Sequence, residues 1–235
     1  MLGLAYLALL AVFILLKAKY YMLAPFYPVL FAGGAVMIEE YLRKTRRSLG
    51  WLKPVSVSAI FLAGIGTVPM ARPVLPVETF IKYSKGWTGI KQETHTLEKL
   101  PQHYADKFGW PELAAEIAKV YQALPEEDRN RACLFAGNYG EAGAVWFFGR
   151  EYGLPRPISG HNQYFLWGPR GCSGEVLIAF GPNEDDLKQA FEEVREAGRF
   201  HHDYCIPYEN DLPIFVCRRP RMPIKEAWPL VKNYS

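Results

Sequence analysis

The chain has 235 residues, half of them hydrophobic and 22% charged, with a formal net charge of +3 and four cysteines. That length accommodates one soluble domain of about 150 residues plus a few membrane passes. Nucleic-acid binding gains little support, because the basic cluster at Arg43–Arg47 is explained by membrane topology and the one at Arg218–Arg221 is short, and the averages conceal an asymmetry: residues 1–72 read as membrane and the remainder as water-soluble.

Met1 to Leu16 carries no charge and ends at Lys17 and Lys19, slightly short of the roughly 20 residues that span a bilayer. With no basic region ahead of it and no small-x-small site leading into polar sequence, it reads as a shortened first span rather than a secretory signal. A second span, Tyr20 to Ile38, enters through Tyr20, Tyr21, Pro25, Tyr27 and Pro28; tyrosines at such an entry suit the water–lipid boundary. The third, Trp51 to about Ala71, contains Gly64, Gly66 and Pro69, tolerable where neighbouring helices cover the freed backbone. Between the last two spans lie Arg43, Lys44, Arg46, Arg47 and Lys53. The positive-inside bias places that turn in the cytoplasm, and everything after the third span outside it. Three helices with small residues on their faces make a poor independent membrane domain, so further helices are expected ahead of Met1.

Residues 73–100 read as a juxtamembrane linker with at most one short element, and 101–235 as an extracytoplasmic α/β domain. Trp110-Pro111-Glu112 opens a helix with Leu113, Ile117, Val120 and Leu124 at helical spacing, ended by Pro125. Arg131 to Ala136 reads as a strand stopping at Gly137-Asn138-Tyr139-Gly140, and Glu141 to Tyr152 as a helix whose Trp146, Phe147 and Phe148 are core candidates. Arg156 to Ser159 is extended, Glu175 to Phe180 is a strand, and a helix capped by Asn183 carries Leu187, Phe191 and Val194 as its stripe. His202–Pro207 and Pro213–Arg218 complete the reading as a final antiparallel hairpin. The alternation predicts three transmembrane helices followed by a soluble α/β domain with a mainly parallel sheet.

In such a sheet ligands bind where strands run into helix N-termini. Three loops qualify: 137–141, 159–162 and 181–183. Asn138, Tyr139, Glu141, His161 and Asn162 are the candidate ligand residues, suited to sugar hydroxyls or a phosphate, with a plain strand-to-helix turn as the alternative reading. Gly137-x-x-Gly140 is neither a dinucleotide fingerprint nor a P-loop. Tyr164, Phe165 and Trp167 suit a carbohydrate- or lipid-facing surface as well as a core. No catalytic residue and no metal spacing stand out, and no cofactor is expected in this chain. Of Cys133, Cys172, Cys205 and Cys217, the pair Cys205 and Cys217 is the first disulfide to test, against buried free thiols as the alternative.

The segment Lys19-Tyr20-Tyr21-Met22-Leu23-Ala24-Pro25-Phe26-Tyr27-Pro28-Val29-Leu30 resembles the late membrane helices of bacterial glycosyltransferases of the protein mannosyltransferase and aminoarabinose transferase type. The run Gly137 to Ala144, with Gly153-Leu154-Pro155, Ser159 to Asn162 and Tyr164 to Pro169, is similar to their C-terminal extracytoplasmic domain. The resemblance implies transfer of a sugar from a polyprenyl-phosphate carrier on the outer side of the inner (plasma) membrane. It also implies that the acidic catalytic loop lies in an N-terminal transmembrane region outside this chain, where a divalent metal also stays open. Lys19, with Tyr20 and Tyr21 beside it, then becomes the candidate contact for the lipid phosphate; a snorkelling lysine and belt tyrosines are the alternative. The expected function is therefore the C-terminal portion of an integral-membrane glycosyltransferase, inactive by itself. The alternative is a membrane-anchored module that binds a glycan or a protein. The bilayer and the lipid-linked sugar are the expected partners, and nucleic acid is not one.

Overall fold

A computed structural model of the chain describes residues 2–18, 20–45, 50–72, 74–85 and 100–234. The chain divides into two compact units, Met1–Val74 and Leu75–Ser235.

The first unit consists of helix α1 (Leu2–Leu15), a 3-10 turn over Tyr20–Phe26, and helices α2 (Tyr27–Thr45) and α3 (Leu52–Ala71). Among the described residues, two helical stretches are long and apolar enough to cross a membrane, Met22–Lys44 and Leu52–Ala71. Helix α1 is short, as its sequence suggests: its 14 residues rise about 21 Å, against a hydrocarbon core about 30 Å thick. The expected three spans therefore become two of bilayer length and one shorter apolar helix. Lys53 Nζ donates to Glu39 Oε1 at 2.9 Å, tying α3 to α2.

The second unit begins with α4 (Val77–Lys85), within the stretch expected as a linker. It belongs to the domain because Phe80, fully buried, stacks on Tyr104 at 4.0 Å in the short helix α5 (Gln102–Ala105). Gly109, at φ 90°, turns the chain into α6 (Trp110–Gln122), with Pro111 in its first turn. Leu113, Ile117, Val120 and Leu124 are all buried, as their spacing predicts. Helix α7 (Glu126–Arg131) leads into β1 (Ala132–Ala136), and α8 (Tyr139–Phe148) follows. A 3-10 turn then ends at Gly153 in the left-handed region. The remaining elements are β2 (Ile158–Ser159), α9 (Gln163–Leu166), β3 (Val176–Phe180), α10 (Glu184–Ala190), β4 (Phe191–Phe200), β5 (Leu212–Pro220) and α11 (Ile224–Ala227).

The five strands form one mixed sheet in the order β2-β1-β3-β5-β4. β1, β2 and β3 are parallel, whereas β5 runs antiparallel to both β3 and β4. Alternation divides each strand between two faces. Leu134, Ile178, Ile214 and Val216 meet α6 and α8 on one face, and Leu177, Ala179, Phe215 and Cys217 meet α10 on the other.

The C-terminal hairpin departs from expectation. Helix α10 is capped by Asn183, whose Oδ1 accepts from the Asp185 N–H at 3.1 Å, but it stops at Ala190. Phe191 and Val194 belong to β4, and 201–206 form a loop in place of the expected strand. Phe147 also differs from its expected core role: it is 68% exposed.

Edge strand β4 carries Glu192, Glu193, Arg195, Glu196 and Arg199. Glu193 is ion-paired with Arg219 of β5, and Glu196 with Arg199.

The Cys205–Cys217 pair, the first to test, is not formed, and the alternative of free thiols holds for these two cysteines. The disulfide joins Cys133 of β1 to Cys172 in the loop before β3, with Cα atoms 5.9 Å apart, and Cys205 and Cys217 are free thiols. Cys217 sits inside the second apolar face, where burial pushes its thiol up to about 12 and keeps it protonated.

Candidate functional site

The three loops at the carboxyl ends of β1, β2 and β3 converge. Gly137, Asn138 and Glu141 from the first, Gly160 from the second, and Gly181 and Pro182 from the third all border one open cavity of about 850 Å³. Its opposite wall is apolar and comes from the sheet face and the C-terminal segment, through Phe135, Leu177, Phe191, Ile224 and Trp228.

Glycines set the geometry of the rim. Gly181 adopts φ 90°, and a side chain there would run into the Glu141 carboxylate; a Cβ at Gly137 would approach the Gly181 backbone to 2.9 Å. Only residues without side chains let the β1 and β3 loops close around a buried carboxylate.

Glu141 is 2% exposed yet negatively chargeable, so its surroundings decide its state. Asn138 and Glu141 form a capping box at the start of α8. The Asn138 Oδ1 accepts from the Glu141 N–H at 2.9 Å, and Glu141 Oε2 accepts from the Gly137 N–H at 2.9 Å and the Asn138 N–H at 3.3 Å. These two donors favour the charged form, but burial and the nearby Glu209 outweigh them and lift the carboxyl to about 8. Asn138 also donates from Nδ2 to Glu209 Oε1 at 3.4 Å. Burial and Asp106 lift Glu209 to about 7. Glu141 thus keeps its proton at neutral pH in the cavity wall, and Asn138 links it to Glu209, which titrates near neutrality, so the wall offers both donor and acceptor groups to a polyhydroxylated ligand.

The other candidate residues support the rim. Tyr139 lies at the surface and meets the buried His161 edge-on, with ring centres 4.9 Å apart. The His161 N–H donates to Ser159 Oγ at 3.2 Å. Asn162, at φ 50°, donates its backbone N–H to the Asn233 carbonyl, and the Asn233 N–H returns to the Gly160 carbonyl. Asn138, Tyr139, Glu141, His161 and Asn162 therefore occupy one end of the sheet, but only Asn138 and Glu141 line the cavity. Lys19 lies outside the described residues, as do the side chains of Tyr20 and Tyr21.

Sequence reading missed Glu209, Tyr208 and the strap at 221–234. Glu209 and Tyr208 sit in a 3-10 turn over Pro207–Glu209 with no periodic pattern to mark it. The strap is held by the Asn233 bonds above and by Trp228, which stacks on Phe165 at 6.0 Å and donates Nε1–H to its carbonyl at 3.0 Å. A methyl group on Gly160 would overlap the Val231 carbonyl. Gly160→Ala is therefore expected to displace the strap, at a cost of about 1–3 kcal/mol, and to expose new protease sites between Met222 and Tyr234. An unchanged digestion pattern would count against a strap seated on Gly160.

Among the described residues no group of three or more His, Cys, Asp or Glu side chains is arranged to hold a metal ion. Comparison of the chain with protein-family models, with curated proteins and with solved structures returned no match.

Proposed function

We propose that the chain is the C-terminal portion of an integral-membrane glycosyltransferase that draws on a polyprenyl-phosphate-linked sugar, and that its α/β unit lies on the extracytoplasmic face of the plasma membrane. The observation that carries this reading is the combination of two bilayer-length helices around a basic turn with a disulfide-bonded domain after them. The basic turn favours the cytoplasmic side and the disulfide favours an oxidising compartment for the domain. These are independent arguments with the same outcome. In this reading α1 enters the bilayer as a third, shorter pass, and Lys19 with Tyr20 and Tyr21 meets the carrier phosphate at the boundary. The cavity between Glu141 and the strap supports recognition of hydroxyl-rich ligands, and the catalytic carboxylate resides in further transmembrane segments.

Sidedness is directly testable. Cys205 and Cys217 are replaced while the Cys133–Cys172 bond is kept, and single cysteines are introduced by Ser48→Cys or Asp185→Cys. An impermeant thiol reagent applied to intact cells is expected to modify only the second variant; the reverse pattern would overturn the topology. The transferase reading is tested by incubating the protein, extended through its own reading frame, with a panel of polyprenyl-phosphate sugars. Transfer abolished by Lys19→Gln supports it. Absence of transfer across the panel favours the alternative reading of a membrane-anchored binding module, for which the open cavity is the supporting observation.

A further inference from the structure

A second cluster, separate from the carboxyl cavity, gathers two arginines around one phenol. The Arg156 guanidinium lies 3.9 Å from the Trp146 ring centre in α8, and that of Arg170 lies 4.6 Å from Trp167, just past α9. Tyr164 joins the two indoles. Its ring meets Trp167 edge-on at 4.8 Å, and its hydroxyl comes within 3.9 Å of where a side chain on Gly143 would begin, one turn before Trp146. Among the described residues neither guanidinium is ion-paired, and the Tyr164 hydroxyl makes no hydrogen bond.

Electrostatics agree with this convergence. Burial and then the neighbouring Arg156 pull Arg170 below its ordinary value, while burial raises the Tyr164 phenol against the opposing charges of Arg170 and Arg156. Arg156 is exposed and Arg170 partly covered, so solvent screens their repulsion in part, and an anion between them would relieve the rest. Stacking on indoles keeps each planar fork oriented while its N–H donors stay available.

The backbone is arranged to deliver Arg170 there. Arg170 adopts φ 49° between Gly168 at φ 71° and Gly171 at φ 82°, and the next residue, Cys172, is bonded to β1. A left-handed non-glycine residue persists only where its surroundings enforce it, and such positions gather at binding sites. Beside the cations, Leu166 is 64% exposed and Trp167 47%.

We propose that Arg156, Arg170 and the Tyr164 hydroxyl form a binding site for a phosphate group, and that the exposed Leu166 and Trp167 receive the apolar chain to which that phosphate is attached. Forked guanidinium donors match the geometry of phosphate oxygens. The lipid source of the phosphate rests on the transferase reading; the phosphate chemistry does not.

The test is equilibrium binding of farnesyl monophosphate, farnesol and inorganic phosphate to the full chain at fixed concentration in a neutral detergent. Farnesyl monophosphate is expected to bind more tightly than either fragment of it. The Arg156→Gln/Arg170→Gln double variant is expected to lose at least about tenfold in affinity for both phosphates, whereas Arg195→Gln, on the exposed side of β4, binds as the unchanged protein does. Equal binding by the double variant and the unchanged protein would overturn the site. Inorganic phosphate binding as tightly as the farnesyl ester would overturn the lipid source. Loss of binding in the double variant, alongside an extended protein that transfers no sugar, would uphold this site and defeat the transferase reading alone.

Discussion

Replacing Glu141 with glutamine is expected to leave stability unchanged near pH 4 and to raise it by about 3–5 kcal/mol above pH 8, from a pKa difference worth about 1.4 kcal/mol per unit. The direction follows from the proton balance. The folded carboxyl titrates near 8 and the unfolded one near its ordinary 4.5, so across that window the folded state holds a proton that the unfolded state has released. Stability therefore falls as pH rises from about 4.5 to about 8 and levels off beyond. Glutamine removes the titration and keeps an oxygen to accept the Gly137 and Asn138 N–H groups, since the capping box accepts either residue. Denaturant unfolding followed by tryptophan fluorescence near pH 5, 7 and 9 measures the effect. Glu209→Gln should show a smaller change of the same sign, because its carboxyl is lifted only to about 7. The double variant should gain less than the sum, because Glu209 is one of the causes that raise Glu141. A flat stability profile for the unchanged protein would sink the buried-carboxyl account.

Breaking the Cys133–Cys172 bond, by reductant or by Cys133→Ala/Cys172→Ala, is expected to cost about 4 kcal/mol, the loop-closure value for a sequence separation of 39 residues. A domain of this size is stable by only about 5–15 kcal/mol in total, so the loss should be visible as a large fall in the unfolding midpoint. Cys205→Ser leaves the cross-link intact and should shift the midpoint little. A midpoint insensitive to reductant would show that the bond is not formed in the native protein. Because Cys172 anchors the turn that presents Arg170, the reduced protein should also bind farnesyl monophosphate more weakly.

Several parts of this architecture were legible in the residues. The proline and apolar spacing at Trp110 to Leu124, the glycines after β1 and β3, and the Asn183 cap are local signals, and local hydrogen bonding enforced each of them. The convergence of loops 137–141, 159–162 and 181–183 followed from topology, because parallel strands place their carboxyl ends side by side. β4 was not legible. Leu187, Phe191 and Val194 fall at helical intervals, and Phe191-Glu192-Glu193-Val194-Arg195-Glu196-Ala197 is rich in good helix formers. Pairing with β5 overrode that propensity. The disulfide escaped notice because Cys172 lies in a loop whose position depends on tertiary packing. Glu209 and the strap were hidden for the same reason: Glu209 reaches Asn138, and the strap reaches the cavity, from a long sequence distance and without periodicity.

The row of acids and arginines along β4 has one more consequence. A bare strand at the rim of a sheet invites a neighbouring molecule to extend it, and charged side chains deter that union. At the opposite rim β2 offers only two residues, too few to template an extension. The sheet is thus guarded at both ends against fibrillar growth, and crowding of many copies should not fuse their folded domains.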